Sequence, residues 1–376
     1  MKDWRLSRRS MLMGAALPQT APPVSGVDSD GALLIKGRRT FLHGLYQLPN
    51  LPEALKAAGE AGFQVVHGSN EADLDAAASR GMYRWMTVGS AAAKIEAMVG
   101  QYGGHPALLF WETEDEPSYQ WKKAGPRVSP EVIRAAYALL RKLDPGRAVY
   151  LNHPPTNLVS TLQTYNPGGD ILGTDIYPVI PKGIRELYAL WPDGRHGDLL
   201  NPYISQVGRY MDKLREVAGP RRSAVMVLQA FAWENLRDKD RDPKMVLYPT
   251  RDELRFMALH SITRGANGLL WWGLQYTPRE AGLWEDLAAV TRELRALDEE
   301  LAAPSLPVRA RLEYHDTGHS LDRGVEWVVK PSKGGPVMIA VNADPNPVEV
   351  TIHEVLGAPR RVRFEAFGAR VMRAAN

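Results

Sequence analysis

Ala107-Leu108-Leu109-Phe110-Trp111-Glu112-Thr113-Glu114-Asp115-Glu116-Pro117 runs from an unbroken apolar stretch straight into four carboxylates and a proline. The apolar run shows no polar alternation. It reads as a strand covered on both faces, as strands of a parallel sheet under helices are. An acidic run standing alone is ordinarily a solvated turn. Here it follows directly on a buried strand, where crowded carboxylates repel one another. Relieving that repulsion raises the pKa of one of them, which is how a general acid is made.

The same unit recurs on either side. Short apolar runs at 64–67, 83–88, 148–152, 170–177, 224–228 and 268–273 read as strands, and an extended run over 39–46 stands before them. Helical stretches at 51–62, 71–81, 91–102, 129–144, 202–217, 250–264 and 283–301 lie between and after them. Pro130 behind Ser129, and Thr250 with Glu253 three residues on, are helix starts. Eight strand–helix units in about 260 residues predict an α/β fold, the (β/α)8 TIM barrel. An open doubly wound sheet would usually carry a glycine-rich phosphate turn, and no G-x-G-x-x-G occurs. After Ala303-Pro304 the pattern turns β-rich, with strands expected at 308–312, 325–329, 337–341, 348–352 and 360–364. The expected division is a leading tail at 1–25, a barrel at 26–303 and a small antiparallel, sandwich-like β domain at 304–376.

Composition narrows the function. Lys and Arg exceed Asp and Glu by only three, which gives no electrostatic case for nucleic acid. The absence of Cys removes disulfides, thiolate metal sites and a Cys nucleophile. No stretch reaches the roughly 18 apolar residues of a membrane span. Ser7-Arg8-Arg9-Ser10-Met11-Leu12, with a short apolar run to Leu17 and prolines to Pro23, resembles a twin-arginine signal peptide. An exported protein, periplasmic or extracellular, is expected from it; a disordered basic tail is the plainer alternative.

The strand ending in Trp111 and followed by Asp115-Glu116-Pro117 resembles the Asn-Glu-Pro signature of the clan A glycoside hydrolases, the barrel group that includes β-galactosidases. Gly31–Tyr46 resembles the opening of those barrels, the stretch from Asp170 to Pro178 their sixth strand, and Arg264 to Trp272 their eighth. The resemblance implies hydrolysis of O-glycosidic bonds in an oligo- or polysaccharide. Glu116 would be the acid/base, Asp115 would stand where Asn binds the sugar 2-hydroxyl, and no cofactor or metal would be needed.

One position departs from the pattern. The seventh strand should end in a nucleophilic Glu, and Gln229 stands there. Three readings follow. Glu234 could serve from the loop, although strand alternation turns it away from Gln229. Asp175 or Glu114 could act as the base of an inverting mechanism. Or the barrel could bind carbohydrate without cleaving it. Gln229 and Asp115 would bond sugar hydroxyls. The aromatics at the strand ends, Tyr46, Trp111, Tyr177, Trp271 and Trp272, would stack on sugar rings or pack under the helices. Alternation allows only one of Trp271 and Trp272 to face inward. His43 and His153 could bond a hydroxyl or be satisfied by neighbours. His315 with His319, and Asp238-Asp240-Asp242, lack the third ligand and the turn glycine of metal sites.

Overall fold

The structure is a computed structural model describing residues 23–120, 125–181, 203–315 and 324–374. The twin-arginine-like motif and His319 lie outside the described residues.

The chain enters through three short antiparallel strands, β1 (Ser25–Val27), β2 (Leu33–Ile35) and β3 (Arg38–Arg39). They close the bottom of the barrel. Leu33 is fully buried in the same apolar cluster as Leu42, Val65 and Trp85. The Ser25 hydroxyl donates to the Leu109 carbonyl (2.5 Å) and accepts the Ala148 amide (2.9 Å). Ser25, expected in the leading tail, therefore belongs to the fold.

The next eight strands form a closed parallel barrel in chain order: β4 (Leu42–Leu45), β5 (Val65–His67), β6 (Tyr83–Thr87), β7 (Leu108–Glu112), β8 (Val149–His153), β9 (Ile171–Ile176), β10 (Ser223–Gln229) and β11 (Gly268–Trp272), with β11 pairing β4. The extended run expected over 39–46 divides at Thr40, so its first part belongs to the bottom sheet and its second to the barrel. Alternation sorts the side chains. Val65, Trp85, Phe110, Tyr150, Val225 and Leu270 fill the interior, while Leu45, Val66, Met86, Trp111, Leu151 and Trp271 pack in the layer under the helices.

That outer layer is α1 (Ala54–Ala61), α2 (Glu71–Ala78), α3 (Ala92–Tyr102), α4 (Pro130–Leu143), α5 (Val159–Gln163), α6 (Gln206–Ala218), α7 (Arg251–Thr263), α8 (Leu283–Arg295) and α9 (Asp298–Ala302). The start of α7 is the capping box read from the sequence: the Glu253 amide donates to Thr250 Oγ1 and the Thr250 amide to Glu253 Oε2. Among the described residues no helix is long and apolar enough to cross a membrane.

The C-terminal region forms two three-stranded antiparallel sheets. One holds β12 (Arg311–Tyr314), β15 (Val348–His353) and β16 (Arg360–Phe364). The other holds β13 (Val325–Lys330), β14 (Val337–Asn342) and β17 (Ala369–Arg373), the last not anticipated in the sequence. Every residue of β14 is buried. Met338 and Ala340 pack in the core between the two sheets, while Ile339 and Val341 pack with the barrel's outer core. A polar joint reinforces that seam. The half-buried Glu326 of β13 accepts from His260 Nε2 (2.6 Å) and Arg264 Nε (2.7 Å) at the end of α7. Gly208 of α6 makes room for it, since a Cβ there would fall 2.1 Å from His260 Nε2.

Candidate active site

The polar side chains that face inward gather at the C-terminal ends of the strands, above the apolar interior. Alternation that buries Tyr150 in β8 turns Asn152 to the same side, and alternation that turns Ile171 inward in β9 does the same for Asp175. Glu116 arrives on the loop after β7. Its amide donates to the Asn152 carbonyl (3.2 Å), its carbonyl accepts from the Tyr119 amide (3.0 Å), and its φ of 46° lies in the left-handed region. A non-glycine residue there costs about 1 kcal/mol or more, so the surrounding loop must hold it in place.

The carboxyls of Glu116 and Asp175 lie against each other. Two carboxylates in contact cannot both be ionised, so the pair shares a proton. Glu116 is pushed far up, first by burial and then by the charges of Asp175 and Asp115. Asp175 is also raised by burial, against hydrogen bonds that favour its ionised form. One amide binds the second layer: Asn152 Nδ2 donates to Asp115 Oδ1 (3.0 Å) and to Asp175 Oδ1 (3.2 Å). Asn152 Oδ1 accepts from the Tyr150 hydroxyl (3.3 Å), which lies 3.0 Å from that of Tyr46. Below them, Glu112 accepts from Trp85 Nε1 (3.1 Å) and Thr87 Oγ1 (2.7 Å), and burial raises it to about 7. Across the mouth Tyr177 stacks on Trp272, with ring centroids 5.4 Å apart and planes at 23°. Arg127, half-exposed, lies over the Tyr119 ring and reaches to 3.6 Å from Glu116 Oε2.

The sequence expectations divide cleanly. Glu116, Asp115, Asp175, Tyr46, Tyr177 and Trp272 meet in this mouth. Trp111 does not: it is fully buried on the outer side of β7, and its Nε1 donates to Asp144 Oδ2 (2.9 Å) beyond α4. Trp271 is likewise buried in the outer core, leaving Trp272 as the inward member of the pair. Gln229 has no free amide atom to offer a sugar. Its Oε1 accepts from the Val179 amide (2.9 Å), and its Nε2 donates to the carbonyls of Val179 (2.9 Å) and Phe231 (3.0 Å). Glu234 is fully buried, and its Oε1 accepts from the Asp242 amide (2.7 Å), so its carboxyl anchors the following loop instead of joining Glu116. Glu114 bonds Ser90 (2.7 Å) on the neighbouring loop. His43 bonds Asp298 (3.0 Å) among the outer helices, and the neighbour of inward Asn152, His153, points away from the mouth. Among the described residues no group of three or more His, Asp or Glu is arranged to hold a metal.

Asn152 and Tyr150 were passed over in the sequence, although their spacing of two at a strand end was a usable signal. Two variants follow from this packing. A Cβ at Gly173 would lie 2.2 Å from the Tyr150 hydroxyl. Gly173→Ala is expected to cost about 1–3 kcal/mol and to displace Tyr150, checked by denaturant unfolding. Gln229→Glu replaces a donor facing two carbonyls with an acceptor. It is expected to cost about 1–3 kcal/mol and to give no gain in turnover, checked by unfolding and by assay.

No family model and no curated protein matches the chain. Solved structures do. A β-galactosidase from Marinomonas ef1 matches with 12% identity and a TM-score of 0.49, over 68% of this chain and 60% of that one. A β-glucuronidase from Bacteroides uniformis matches with 12% identity and a TM-score of 0.48, over 91% of this chain and 48% of that one. A β-galactosidase from Halorubrum lacusprofundi matches with 14% identity and a TM-score of 0.49, over 69% of this chain and 58% of that one. The chain thus spans about half to three-fifths of the length of these neighbours. The chemistry of the site rests on this chain's own residues.

Proposed function

We propose that this chain is a glycosidase-like barrel that cleaves O-glycosidic bonds of an oligo- or polysaccharide, with Glu116 as the proton donor. The observation that carries the reading is a buried carboxyl against a second carboxyl, an arrangement that raises its pKa, set where strand ends open beside an aromatic pair. Sugar rings bury their C–H faces well on such planes. In the reaction the anomeric C–O bond breaks and Glu116 gives its proton to the departing oxygen. Water supplies the hydroxyl to the anomeric carbon and its proton to Asp175, and the Glu116–Asp175 contact returns that proton to Glu116. Inversion needs carboxyls roughly 6.5–9.5 Å apart and retention about 5–5.5 Å. A pair in contact is closer than either, so turnover requires the sugar to part the two as it enters.

A second reading has its own support: Gln229 is built into the backbone and leaves the seventh strand without a nucleophile. It is a barrel that binds carbohydrate without cleaving it. Incubation with a panel of aryl glycosides and plant or microbial oligosaccharides, followed by product analysis and calorimetry, separates the two. Hydrolysis supports the first reading, binding with no product supports the second, and neither binding nor product overturns both. Export through the twin-arginine-like leader is part of the proposal, and cell fractionation with Arg8 and Arg9 changed to Lys tests it.

A further inference from the structure

We infer that Asn152 is the positioning residue that decides which member of the Glu116–Asp175 pair carries their shared proton, and that it places the proton on Glu116. This deepens the reading above and rests on it only for what the proton is used for.

The argument is one of donors and acceptors. Asn152 is buried at the end of β8 and every polar atom of its side chain is committed. Its orientation is fixed by its neighbours. If the amide were turned over, its oxygen would face the oxygens of Asp115 and Asp175. As it stands, its two N–H hydrogens point one at each. An N–H bond to a carboxyl oxygen favours the ionised form, so Asp175 and Asp115 are held as acceptors. Glu116 gets no such side-chain bond from Asn152, which touches it only through the backbone, carbonyl to amide. Its nearest cation among the described residues, Arg127, stands at 3.6 Å with its own side chain about half exposed, where solvent screens it. The asymmetry leaves Glu116 O–H donating to Asp175.

Among the described residues, the charged and titratable groups around the pair come from the loop after β7 and from the neighbouring strand ends. Asp115 and Arg127 come from the loop after β7, and Glu112 from β7 itself. Tyr150 comes from β8, Tyr177 from just beyond β9, and Tyr46 from just beyond β4. Among the described residues Arg127 alone favours an ionised Glu116; Asp115 disfavours ionisation of both partners.

The test is a pH titration by NMR of protein labelled with ¹³C at the Asp and Glu carboxyls, with Glu116→Gln and Asp175→Asn assigning the two signals. In the unaltered protein Glu116 should hold its proton to higher pH than Asp175, whose carboxyl burial raises to about 7. Asn152→Leu removes both donors at similar volume. Asn152→Ser, too short to reach either carboxyl, is a second variant that packs more easily. Both should raise the Asp175 midpoint by about one pH unit and shift the Glu116 signal at neutral pH toward the carboxylate. A merely structural Asn152 would lower thermal stability and leave both titrations in place, which overturns the inference. So does an unaltered protein in which Asp175 holds the proton. No substrate enters this measurement, so failure to hydrolyse any glycoside would sink the proposed function and leave the proton assignment standing.

Discussion

Glu116→Gln is expected to lower turnover of a natural saccharide by about 10²–10⁴-fold while changing its dissociation constant little. The substitution keeps the shape of the side chain. It also keeps a donor toward Asp175, because an amide N–H can replace the acid O–H in that contact. The amide cannot release a proton to the departing oxygen, so the loss isolates proton donation from positioning. The size of the effect should depend on the leaving group. An aryl glycoside whose phenol departs readily without protonation should lose much less than an alkyl or sugar glycoside. Steady-state kinetics on the two substrate types, with calorimetry for binding, makes the comparison. Equal losses on both types, or none on either, would remove Glu116 from the role of acid.

Glu326→Ala is expected to cost about 1–3 kcal/mol, because the joint is only partly buried and the Arg264 side chain is 30% exposed. Glu326 accepts from both His260 and Arg264 across the seam between α7 and β13, and its side chain is only 13% exposed. Removing it strands the buried His260 Nε2–H, while the partly exposed Arg264 guanidinium keeps Asp212 at 3.7 Å. The His260 ring is the neutral form: its Nδ1 is buried with no partner, and burial lowers its pKa below 6.5. The pH dependence has one sign. Burial of Glu326 would raise its pKa, but the bonds from His260 and Arg264 prevail and hold it at about 2, below the ordinary 4.5. Its stabilisation is therefore present above pH 4.5 and lost as pH falls from there toward 2. The lowered His260 pKa also removes stability as pH falls below 6.5. Urea unfolding at pH 7 and pH 4 should show the unaltered protein weakening toward acid and Glu326→Ala weakening less. A variant that matches the unaltered protein at both pH values would show the joint to be dispensable.

The barrel was legible because each strand carries its own signature. Apolar runs such as Leu108–Trp111 and Val225–Leu228 must be covered on both faces, and eight of them with helical stretches between leave few alternatives. The boundary at Thr40 was hidden because the bottom sheet and the first barrel strand share one extended pattern. β17 was missed because Ala369–Arg373 carries Arg at 370 and 373, one on each face, and has only Met372 buried. In the site, the strand-end rule located Glu116, Asp175 and Trp272. It failed for Trp111 and Trp271 because it names the end of a strand and not the face, and one residue of offset separates mouth from outer core. Gln229 was read as a ligand-binding amide from its place in the order of strands. Two of its three bonds go to the amide and carbonyl of Val179 on a distant loop, which no local pattern reveals. The contact between Glu116 and Asp175 joins residues far apart in sequence and required the closed barrel to be seen.

The most direct test is the structure of Glu116→Gln with an oligosaccharide bound. The side chain at 116 should lie about 3 Å from a glycosidic oxygen, with Asp175 parted from it and a sugar ring lying against Trp272. A saccharide bound elsewhere on the molecule, or a side chain at 116 turned into bulk solvent away from it, would contradict the account.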